Sequence, residues 1–177
     1  MKVDLTEKLK IPEGVTVEID NNLIKAKGPK GSNEKKLFHP RVKIEKKDNF
    51  IVLNSKKATK REKVFLNTLK AHIRNMINGV KDGYEYQLKI CSGHFPMNVS
   101  IQGDELVIKN FFGEKKPRRV KILHGAEVKI DGDIIKVHGI DIDTVSQTAS
   151  RIELTTRRTG YDRRIYQDGI WIIKKAK

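Results

Sequence analysis

Residues 128–152 read VKIDGDIIKVHGIDIDTVSQTASRI and contain a strand, a turn, a second strand and a helix in succession. Val128 and Ile130 alternate with charged residues, which is the period of a strand buried on one face. The sequence Asp-Gly-Asp at 131–133 is typical of a tight turn. Because the apolar run 134–137 follows at once, the stretch predicts an antiparallel hairpin.

A helix is expected directly after this hairpin. It begins near residues 141–144, and residues 144–147 read TVSQ, which fits the capping box. Val145, Ala149 and Ile152 fall on one face at helical spacing. An apolar helix face can cover one side of a sheet, so the whole stretch predicts a sheet packed by a helix.

The same order of elements occurs earlier in the chain. Val42 and Ile44 alternate with basic residues, residues 46–49 form a turn sequence, and residues 50–53 are an apolar run. These residues predict a second hairpin of the same kind.

A helix is expected after this hairpin too, from about Thr59 to Asn78. Thr59 and Glu62 have the spacing of a capping box, and Gly79 stands where a C-terminal glycine ends a helix. Its predicted apolar face consists of Phe65, Leu69, Ile73, Met76 and Ile77, with Val64 and Leu66 beside it.

The two copies indicate an internal duplication. Further strand patterns precede each copy, at residues 15–27 and 99–108. The fold class predicted is α+β: two tandem similar domains, 1–80 and 81–177, each an antiparallel β-sheet packed by an α-helix. The matched pairs are Val17 with Val99, Val42 with Val128 and Phe50 with Ile134, at offsets of 82, 86 and 84 residues.

Two segments lie outside this repeat, residues 1–14 and residues 161–177. In the second of them, residues 164–166 and 170–173 are expected to flank an Asp168-Gly169 turn. Residues 84–91 are expected to form a strand that enters the second domain.

The composition is that of a basic, folded chain. The 177 residues include 37 Lys and Arg against 22 Asp and Glu, and a net charge of +15 favours polyanionic partners. No apolar run of about 18 residues is present, so no membrane span is expected, and the first residues lack the apolar segment of a signal peptide. The single cysteine, Cys91, excludes an intramolecular disulfide and a cysteine-cluster zinc site. We therefore expect a cytoplasmic protein.

The basic charge is unevenly distributed along the chain. Residues 1–80 contain 19 basic and 9 acidic residues, residues 81–150 contain 10 of each, and residues 151–177 contain 8 and 3. Seven of the ten arginines lie in the second half. Because arginine contacts phosphate bidentately and lysine acts as a diffuse charge, the end of the chain has the more directional donors. The scattered lysines of the first half fit a solvated face equally well.

No arrangement of residues indicates an enzyme. None of the histidines forms the short-spaced helical pair of a zinc enzyme. Cys91 with His94 would suit a thiol nucleophile, but a lone cysteine in a strand is more often a core residue. We expect no catalytic site, no metal and no cofactor. The five histidines are His39, His72, His94, His124 and His138.

The sequence Gly28-Pro29-Lys30-Gly31 fits two interpretations. It has the Gly-x-x-Gly pattern of the RNA-binding KH domain, and it also fits a tight turn that needs glycine at unusual backbone angles. A KH loop joins two helices, whereas this sequence lies between predicted strands, so the turn is favoured. Its lysine could still contact backbone phosphate.

Seven short segments, in their order and spacing over nearly the whole chain, resemble a known family. They are Ile11–Val15, Lys27–Gly31, His39-Pro40, Ile73–Tyr84, His94–Pro96, Asn110–Lys115 and Arg163–Trp171. The sequence is similar to large-subunit ribosomal protein six, which is protein nine in eukaryotic naming. The last three segments resemble the archaeal and eukaryotic branch and not the bacterial one.

The resemblance implies a structural constituent of the large ribosomal subunit, in the cytoplasm, that supports translation without catalysis. It implies that the second domain is the main anchor on large-subunit (23S) rRNA. It also implies a place near the base of the lateral stalk and the factor-binding region. The partners would then be rRNA, neighbouring ribosomal proteins including those of the stalk base, and nearby translation factors. The larger basic excess of the first half departs from this expectation.

The main rRNA contact is expected at residues 157–164, with the tail 174–177. Guanidinium groups would contact phosphates, Gly160 would let the backbone come close, and Tyr161 would stack on a base or sugar. Asp162 is expected to orient a neighbouring arginine, and Asp168 to serve a turn. The predicted RNA-binding residues are Arg157, Arg158, Tyr161, Arg163, Arg164, Lys174 and Lys175, with a second patch of Lys115, Lys116, Arg118 and Arg119.

Two other functions share parts of this pattern. A non-ribosomal RNA-binding regulatory protein would have the same basic surface but would occur outside the ribosome. An RNA-modifying enzyme would need a cofactor loop or a catalytic constellation, and the sequence has neither.

Overall fold

The computed structural model describes residues 3–162 and 164–176 of the chain. Contacts divide the chain after Gly83 into a first unit, residues 1–83, and a second unit, residues 84–177. Both units contain antiparallel strands and one α-helix, so the predicted α+β class is confirmed. The domain limits 1–80 and 81–177 stay a prediction.

Residues 3–83 of the first unit form six strands followed by one helix. Its strands pair antiparallel and form two three-stranded sheets, in the orders β2-β3-β4 and β1-β6-β5, and α1 packs against strands of both sheets. In chain order the elements are β1 (Val3–Lys10), β2 (Thr16–Asp20), β3 (Leu23–Gly28), β4 (Gly31–Lys36), β5 (Lys43–Lys47), β6 (Phe50–Ala58) and α1 (Lys60–Lys81).

Alternation in the strands and helical spacing in α1 build the core of this unit. Ile24 of β3, Ile51 of β6 and Ile73 of α1 are all almost fully buried. Phe65 was predicted on the buried face, and this is wrong, because it is 49% exposed and packs against His39 with ring centroids 4.5 Å apart. The buried stripe of the helix contains Leu66, Leu69, Ile73, Met76, Ile77 and Val80.

Of the two predicted ends of α1, the first is observed and the second is not. The predicted capping box is confirmed: Thr59 Oγ1 accepts from Arg61 N at 3.3 Å, and Glu62 Oε2 accepts from Thr59 N at 2.8 Å. The predicted end at Gly79 is wrong, since the helix continues through it to Lys81. Gly83, with φ +76°, adopts the left-handed conformation that follows a helix, and its N–H donates to Gly79 O at 3.0 Å.

The sequence at 28–31 forms a two-residue turn between β3 and β4, which confirms the turn interpretation and not the KH loop. This turn packs on the last turn of α1, where Lys30 N donates to Val80 O at 3.0 Å. A Cβ on Gly28 would lie 2.6 Å from Val80 O, so the close approach requires glycine there.

In its described residues the second unit has the same elements, one more strand and a short 3-10 turn. Its sheets have the strand orders β8-β9-β10 and β11-β12-β7-β13, and α2 packs mainly on β7, β12, β13 and β10. In chain order the elements are β7 (Tyr84–Cys91), β8 (Asn98–Gln102), β9 (Glu105–Lys109), a 3-10 turn (Phe111–Gly113), β10 (Arg118–Lys121), β11 (Ala126–Asp131), β12 (Ile134–Gly139), α2 (Ile142–Thr155) and β13 (Gly169–Lys174).

The helix α2 begins earlier than the capping box predicted at residues 144–147 would place it. Asp141 is its N-cap, with Oδ1 accepting from Asp143 N at 3.3 Å. The capping box predicted at residues 144–147 is wrong, because Thr144 already lies inside the helix and its hydroxyl donates to Asp141 O at 2.9 Å. Val145, Ala149 and Ile152 are fully buried, as predicted.

The strand topology confirms the duplication. The sheet β8-β9-β10 corresponds to β2-β3-β4, and the strands β11-β12-β7 correspond to β5-β6-β1. Turn positions also match, because Asn21 (φ 52°) corresponds to Gly103 (φ 59°), and Asp48 (φ 51°) corresponds to Gly132 (φ 58°).

Two details of the predicted repeat are wrong. Residues 1–14 do not lie outside it, because β1 pairs with β6 as β7 pairs with β12. The counterpart of Val128 is Ile44 rather than Val42, since Ile44 pairs with Leu53 as Val128 pairs with Val137.

The end of the chain also differs from its prediction. The expected hairpin around Asp168-Gly169 does not form, because β13 pairs antiparallel with β7 and not with residues 164–166. The segment between α2 and β13, called the 156–168 loop below, therefore leaves the helix and returns to the edge of the sheet. Among the helices within 3–162 and 164–176, none has the length and apolar character needed to cross a membrane.

The stability that Glu62 gives to the N-terminus of α1 depends on pH. Hydrogen bonds from the Thr59 side chain and backbone and from its own backbone lower the pKa of Glu62 from 4.5 to about 2. Arg41 Nη1 also donates to Glu62 Oε1 at 2.8 Å. A lowered pKa stabilises the folded state above the unfolded value near 4.5, and this contribution is lost as pH falls towards 2.

We therefore expect Glu62→Gln to lower the free energy of unfolding most at neutral pH. The difference from wild type should shrink as pH falls from about 5 to about 2, in urea titrations followed by circular dichroism. Glu34→Gln is the matched control, because the Glu34 side chain is 67% exposed and lies 3.8 Å from Lys25 Nζ. A Glu62→Gln effect that stayed constant across this pH range would contradict the account.

Candidate nucleic-acid interface

Three loops of the second unit come together around the predicted RNA-binding residues. They are the 156–168 loop, residues 92–97 after β7, and residues 110–117 between β9 and β10. β13 fixes one end of the 156–168 loop, and Thr156 fixes the other. The buried Thr156 hydroxyl accepts from Ile170 N at 2.9 Å and contacts Glu153 O at 3.0 Å.

The Asp168 carboxylate joins two of these loops. It is 8% exposed, and its Oδ1 accepts from the backbone N–H groups of Gly93 at 2.7 Å and His94 at 2.9 Å. Its Oδ2 lies 2.6 Å from His94 Nδ1. Both oxygens of one buried carboxylate are thus used to hold residues 93–94 against the 156–168 loop. Asp168 was predicted to serve a local turn, and its observed partners are instead remote in sequence.

Burial and hydrogen bonding act in opposite directions on the pKa of Asp168. Burial alone would raise this pKa, but hydrogen bonds from His94 and from the Gly93 backbone lower it below its ordinary value. Asp168 is therefore ionised at neutral pH, and the charged form is the one that the surrounding N–H donors stabilise.

Four rings assemble on top of this contact and are called the aromatic cluster: His94, Phe112, Tyr161 and Tyr166. His94 stacks on Tyr166 with ring centroids 5.0 Å apart, and Tyr161 meets Tyr166 edge-to-face, also at 5.0 Å. Phe112 lies 5.7 Å from Tyr161 and 6.1 Å from Tyr166. Each loop contributes at least one ring, so the cluster depends on all three loops.

The backbone around Phe112 is unusual. Asn110 (φ 61°), Phe112 (φ 49°) and Gly113 (φ 75°) all have positive φ, which costs a bulky residue such as phenylalanine about 1–3 kcal/mol. Phe111 points into the core and is 2% exposed, whereas Phe112 reaches the aromatic cluster. The Asn110 side chain supports this turn by donating to Pro96 O at 3.0 Å.

Arg158 packs on the aromatic cluster. Its guanidinium carbon lies 4.3 Å from the Tyr161 ring centroid and 5.2 Å from that of Phe112. These distances are within the range of cation–π contacts. Arg158 is partly buried, whereas Arg157 beside it is exposed.

Arg164 and Asp162 form an ion pair within the loop. Asp162 Oδ2 accepts from Arg164 Nη2 at 2.8 Å, and Oδ1 accepts from the Arg164 backbone N at 2.9 Å. This arrangement lowers the pKa of Asp162 and raises that of Arg164. The expectation that Asp162 orients a neighbouring arginine is confirmed, although the Arg164 side chain remains 89% exposed.

The second predicted patch divides into internal and exposed residues. Arg118 donates to both carboxylate oxygens of Glu114, at 2.6 and 2.8 Å, and to Thr155 O at the end of α2. Its guanidinium also lies 4.3 Å from the Phe111 ring centroid. At least three of its five N–H donors are thus used within the chain, and the contact with Arg118 lowers the pKa of Glu114.

The other predicted RNA-binding residues are more accessible. Arg119 lies 3.2 Å from Glu105 and is largely exposed, and Lys115 and Lys116 are exposed. Lys174 ends β13, and Lys175 follows it; both are exposed. Arg163 and Lys177 lie outside the described residues.

Several residues of this surface carried no prediction as site residues. Phe95, Phe112 and Tyr166 belonged to the segments that carried the family resemblance, but their spacing along the chain gives no sign that they meet. His94 was considered only beside Cys91. Within the described part of the chain, no three His, Cys, Asp or Glu residues are grouped so that they could hold a metal ion.

A protein family matches both units of this chain. The family is described as Ribosomal protein L6, and its model matches residues 11–83 and 95–169. The matched segments exclude the first ten residues, residues 84–94 with the strand β7, most of the strand β13 and the tail.

Curated relatives match almost from end to end. Large ribosomal subunit protein uL6 of Sulfurisphaera tokodaii is 47% identical over 98% of this chain and 94% of its own length. The uL6 proteins of Methanosarcina mazei and Methanobrevibacter smithii are 42% and 43% identical, over 99% and 97% of this chain and 100% and 96% of their own lengths. The resemblance inferred from the seven segments is therefore confirmed, including its archaeal branch.

We expect Asp168→Ala to loosen the 156–168 loop and lower the free energy of unfolding. The variant removes the charged acceptor of the Gly93 and His94 N–H groups, and a hydrogen bond to a charged group contributes about 1.5–3 kcal/mol. Because Gly93 and His94 are themselves exposed, water offsets part of this loss. Urea titrations would measure the decrease, and fluorescence of Trp171, the only tryptophan, would report the loop, since its Nε1 donates to Gln167 O at 3.0 Å.

Asp104→Ala is the matched control, because Asp104 is an exposed residue in the turn between β8 and β9. Equal unfolding midpoints for the two variants would contradict the role given to Asp168. The effect should also fade in acid, because a lowered pKa stabilises the folded state only above the unfolded value.

Proposed function

Because the chain belongs to the Ribosomal protein L6 family, we propose that it is a structural constituent of the large ribosomal subunit and binds large-subunit rRNA. The observation that carries this proposal is the near end-to-end similarity to proteins named large ribosomal subunit protein uL6. The protein acts in the cytoplasm, in the ribosome, and performs no catalysis. Its net charge of +15 suits a polyanionic partner.

The second unit provides the main rRNA contact. Arg157 and Arg164 are exposed, and Asp162 holds the Arg164 guanidinium in a defined orientation from which a phosphate can be reached. Lys174 and Lys175 extend this basic surface beyond β13. These side chains bind the RNA backbone by charge and hydrogen bonding, and Arg163 belongs to the same proposal.

The patch around β10 has two roles. Lys115, Lys116 and Arg119 are accessible to phosphate, and we assign them to RNA contact. Arg118 uses its internal hydrogen bonds to join β10 to the end of α2, so its contribution to RNA binding is mainly to keep the patch in place.

The family resemblance extends the proposal to the surroundings of the protein. We propose from this resemblance that the chain lies near the base of the lateral stalk and the factor-binding region, with stalk-base proteins as neighbours and translation factors close by. The first unit carries a diffuse excess of lysine, 19 basic against 9 acidic residues in 1–80, that suits contact with rRNA at the edge of this site.

Sedimentation tests the ribosomal assignment directly. In a sucrose gradient of cell extract, the chain is expected in the fractions that contain large subunits and whole ribosomes. A free RNA-binding regulator would remain in the light fractions near the top, and that distribution would contradict the proposal.

Salt dependence tests the proposed RNA-binding residues. For the purified chain on an rRNA fragment, replacing Arg157 and Arg164 by alanine should weaken binding. It should also make the plot of log affinity against log salt shallower by roughly one unit for each phosphate that the variant no longer neutralises. Filter binding over a range of salt concentrations measures both quantities.

Replacing Lys56 and Lys60 by alanine is the control that removes the same charge from the first unit, where both lysines are exposed. Their removal is expected to change the slope much less. If the two lysines affected the slope as strongly as the two arginines, the second unit would not be the main contact and the proposal would fail.

A further inference from the structure

Large apolar side chains of the second unit are exposed around the aromatic cluster. Phe95 is 47% exposed, Tyr161 41%, Ile165 65% and Tyr166 36%. Phe95 adjoins the cluster, because a Cβ placed on Gly113 would lie 3.7 Å from its ring. Exposed apolar patches that are built from several residues commonly mark binding sites.

The structure fixes these rings in place before any ligand arrives. Tyr161 and Tyr166 meet at an interplanar angle of 89°, and His94, which Asp168 holds, stacks on Tyr166. The strained backbone at Phe112 turns that ring towards the cluster while Phe111 fills the core. A surface ordered in this way loses little conformational entropy on binding.

The charge around the rings is positive. Residues 151–177 contain 8 basic and 3 acidic residues, and each acidic side chain already has a partner in the chain. Glu153 accepts from Ile172 N at 3.0 Å, Asp162 pairs with Arg164, and Asp168 holds residues 93–94. Aromatic rings in basic surroundings suit a nucleic-acid base flanked by phosphates better than an apolar protein segment.

We propose that Phe95, Tyr161 and Tyr166 form a stacking platform for one or two unpaired RNA bases. The proposal rests on the function proposed above and narrows its ligand from rRNA in general to a loop, bulge or other unpaired segment. Bases inside an A-form duplex stack on one another and are not available to protein rings, whereas unpaired bases can be turned out and stacked on aromatic side chains.

Arg158 completes the platform. Its guanidinium packs on Tyr161 and Phe112 and carries five N–H donors. These donors can contact the phosphate next to a stacked base. The platform therefore recognises a nucleotide through its base and its phosphate together.

The test uses the full chain and a large-subunit rRNA transcript, with dimethyl sulfate to probe bases and hydroxyl radicals to probe the backbone. Wild type is expected to protect a small number of unpaired bases. Tyr161→Leu, Tyr166→Leu and Phe95→Leu should each abolish protection at one or more of them and weaken binding by about tenfold. The salt slope and the backbone protections should not change, because no charge is removed.

Two sets of variants separate stacking from folding. Tyr161→Phe and Tyr166→Phe keep the rings, and we expect them to protect the same bases as wild type. Phe38→Leu removes an aromatic ring that is 64% exposed in the first unit, and it should leave every base protection as in wild type. Circular dichroism of each variant checks that the fold is retained, which is expected because Phe95, Tyr161 and Tyr166 are all exposed loop residues.

Three results would overturn the platform. They are the absence of any base protection by wild type, unchanged rRNA binding by the leucine variants, or a decrease in affinity that is accompanied by changes in the salt slope and the backbone protections. Unchanged rRNA binding would show that the rings do not contribute to rRNA affinity. Failure of the proposed function itself is distinguishable, because wild type would then neither bind the transcript nor sediment with large subunits.

Discussion

One buried carboxylate holds together two of the loops that form the proposed RNA-binding surface of the second unit. Asp168 accepts hydrogen bonds from the backbone of Gly93 and His94, residues that precede it by 75 and 74 positions. Because the His94 ring stacks on Tyr166, the same contact also positions the aromatic cluster. The 156–168 loop contains no helix or strand in its described residues, so side-chain contacts of this kind give it a defined conformation.

The proposed RNA surface includes a loop and a strand that the second copy of the duplication has and the first copy lacks. Both copies contain a three-stranded sheet, a second sheet and a helix, but β7 has β13 as an additional neighbour, whereas β1 is an edge strand. The 156–168 loop exists because the chain returns from α2 to form β13. The loop and β13 therefore give the second half the site of the proposed RNA contacts, although the first half has the larger basic excess.

Patterns among neighbouring residues predicted the fold well. They did not predict the contacts between segments that are far apart in the sequence. Alternation and the capping box at Thr59 defined the strands and α1, because both depend on neighbours within a few residues. Phe65 was misplaced because a helical stripe can be shifted by one position without changing its period. Asp168 resembled a turn residue, and nothing local indicated its partners 74 residues away. Arg118 resembled a phosphate ligand because its basic neighbours hide its pairing with Glu114.

Ultraviolet cross-linking of large subunits that contain this chain can show whether the 156–168 loop, held by Asp168, is the main contact with rRNA. Mass spectrometry of the cross-linked peptides should then find rRNA nucleotides attached at Tyr161 or Tyr166. Cross-links confined to residues 3–83, with none in the 156–168 loop, would contradict the account.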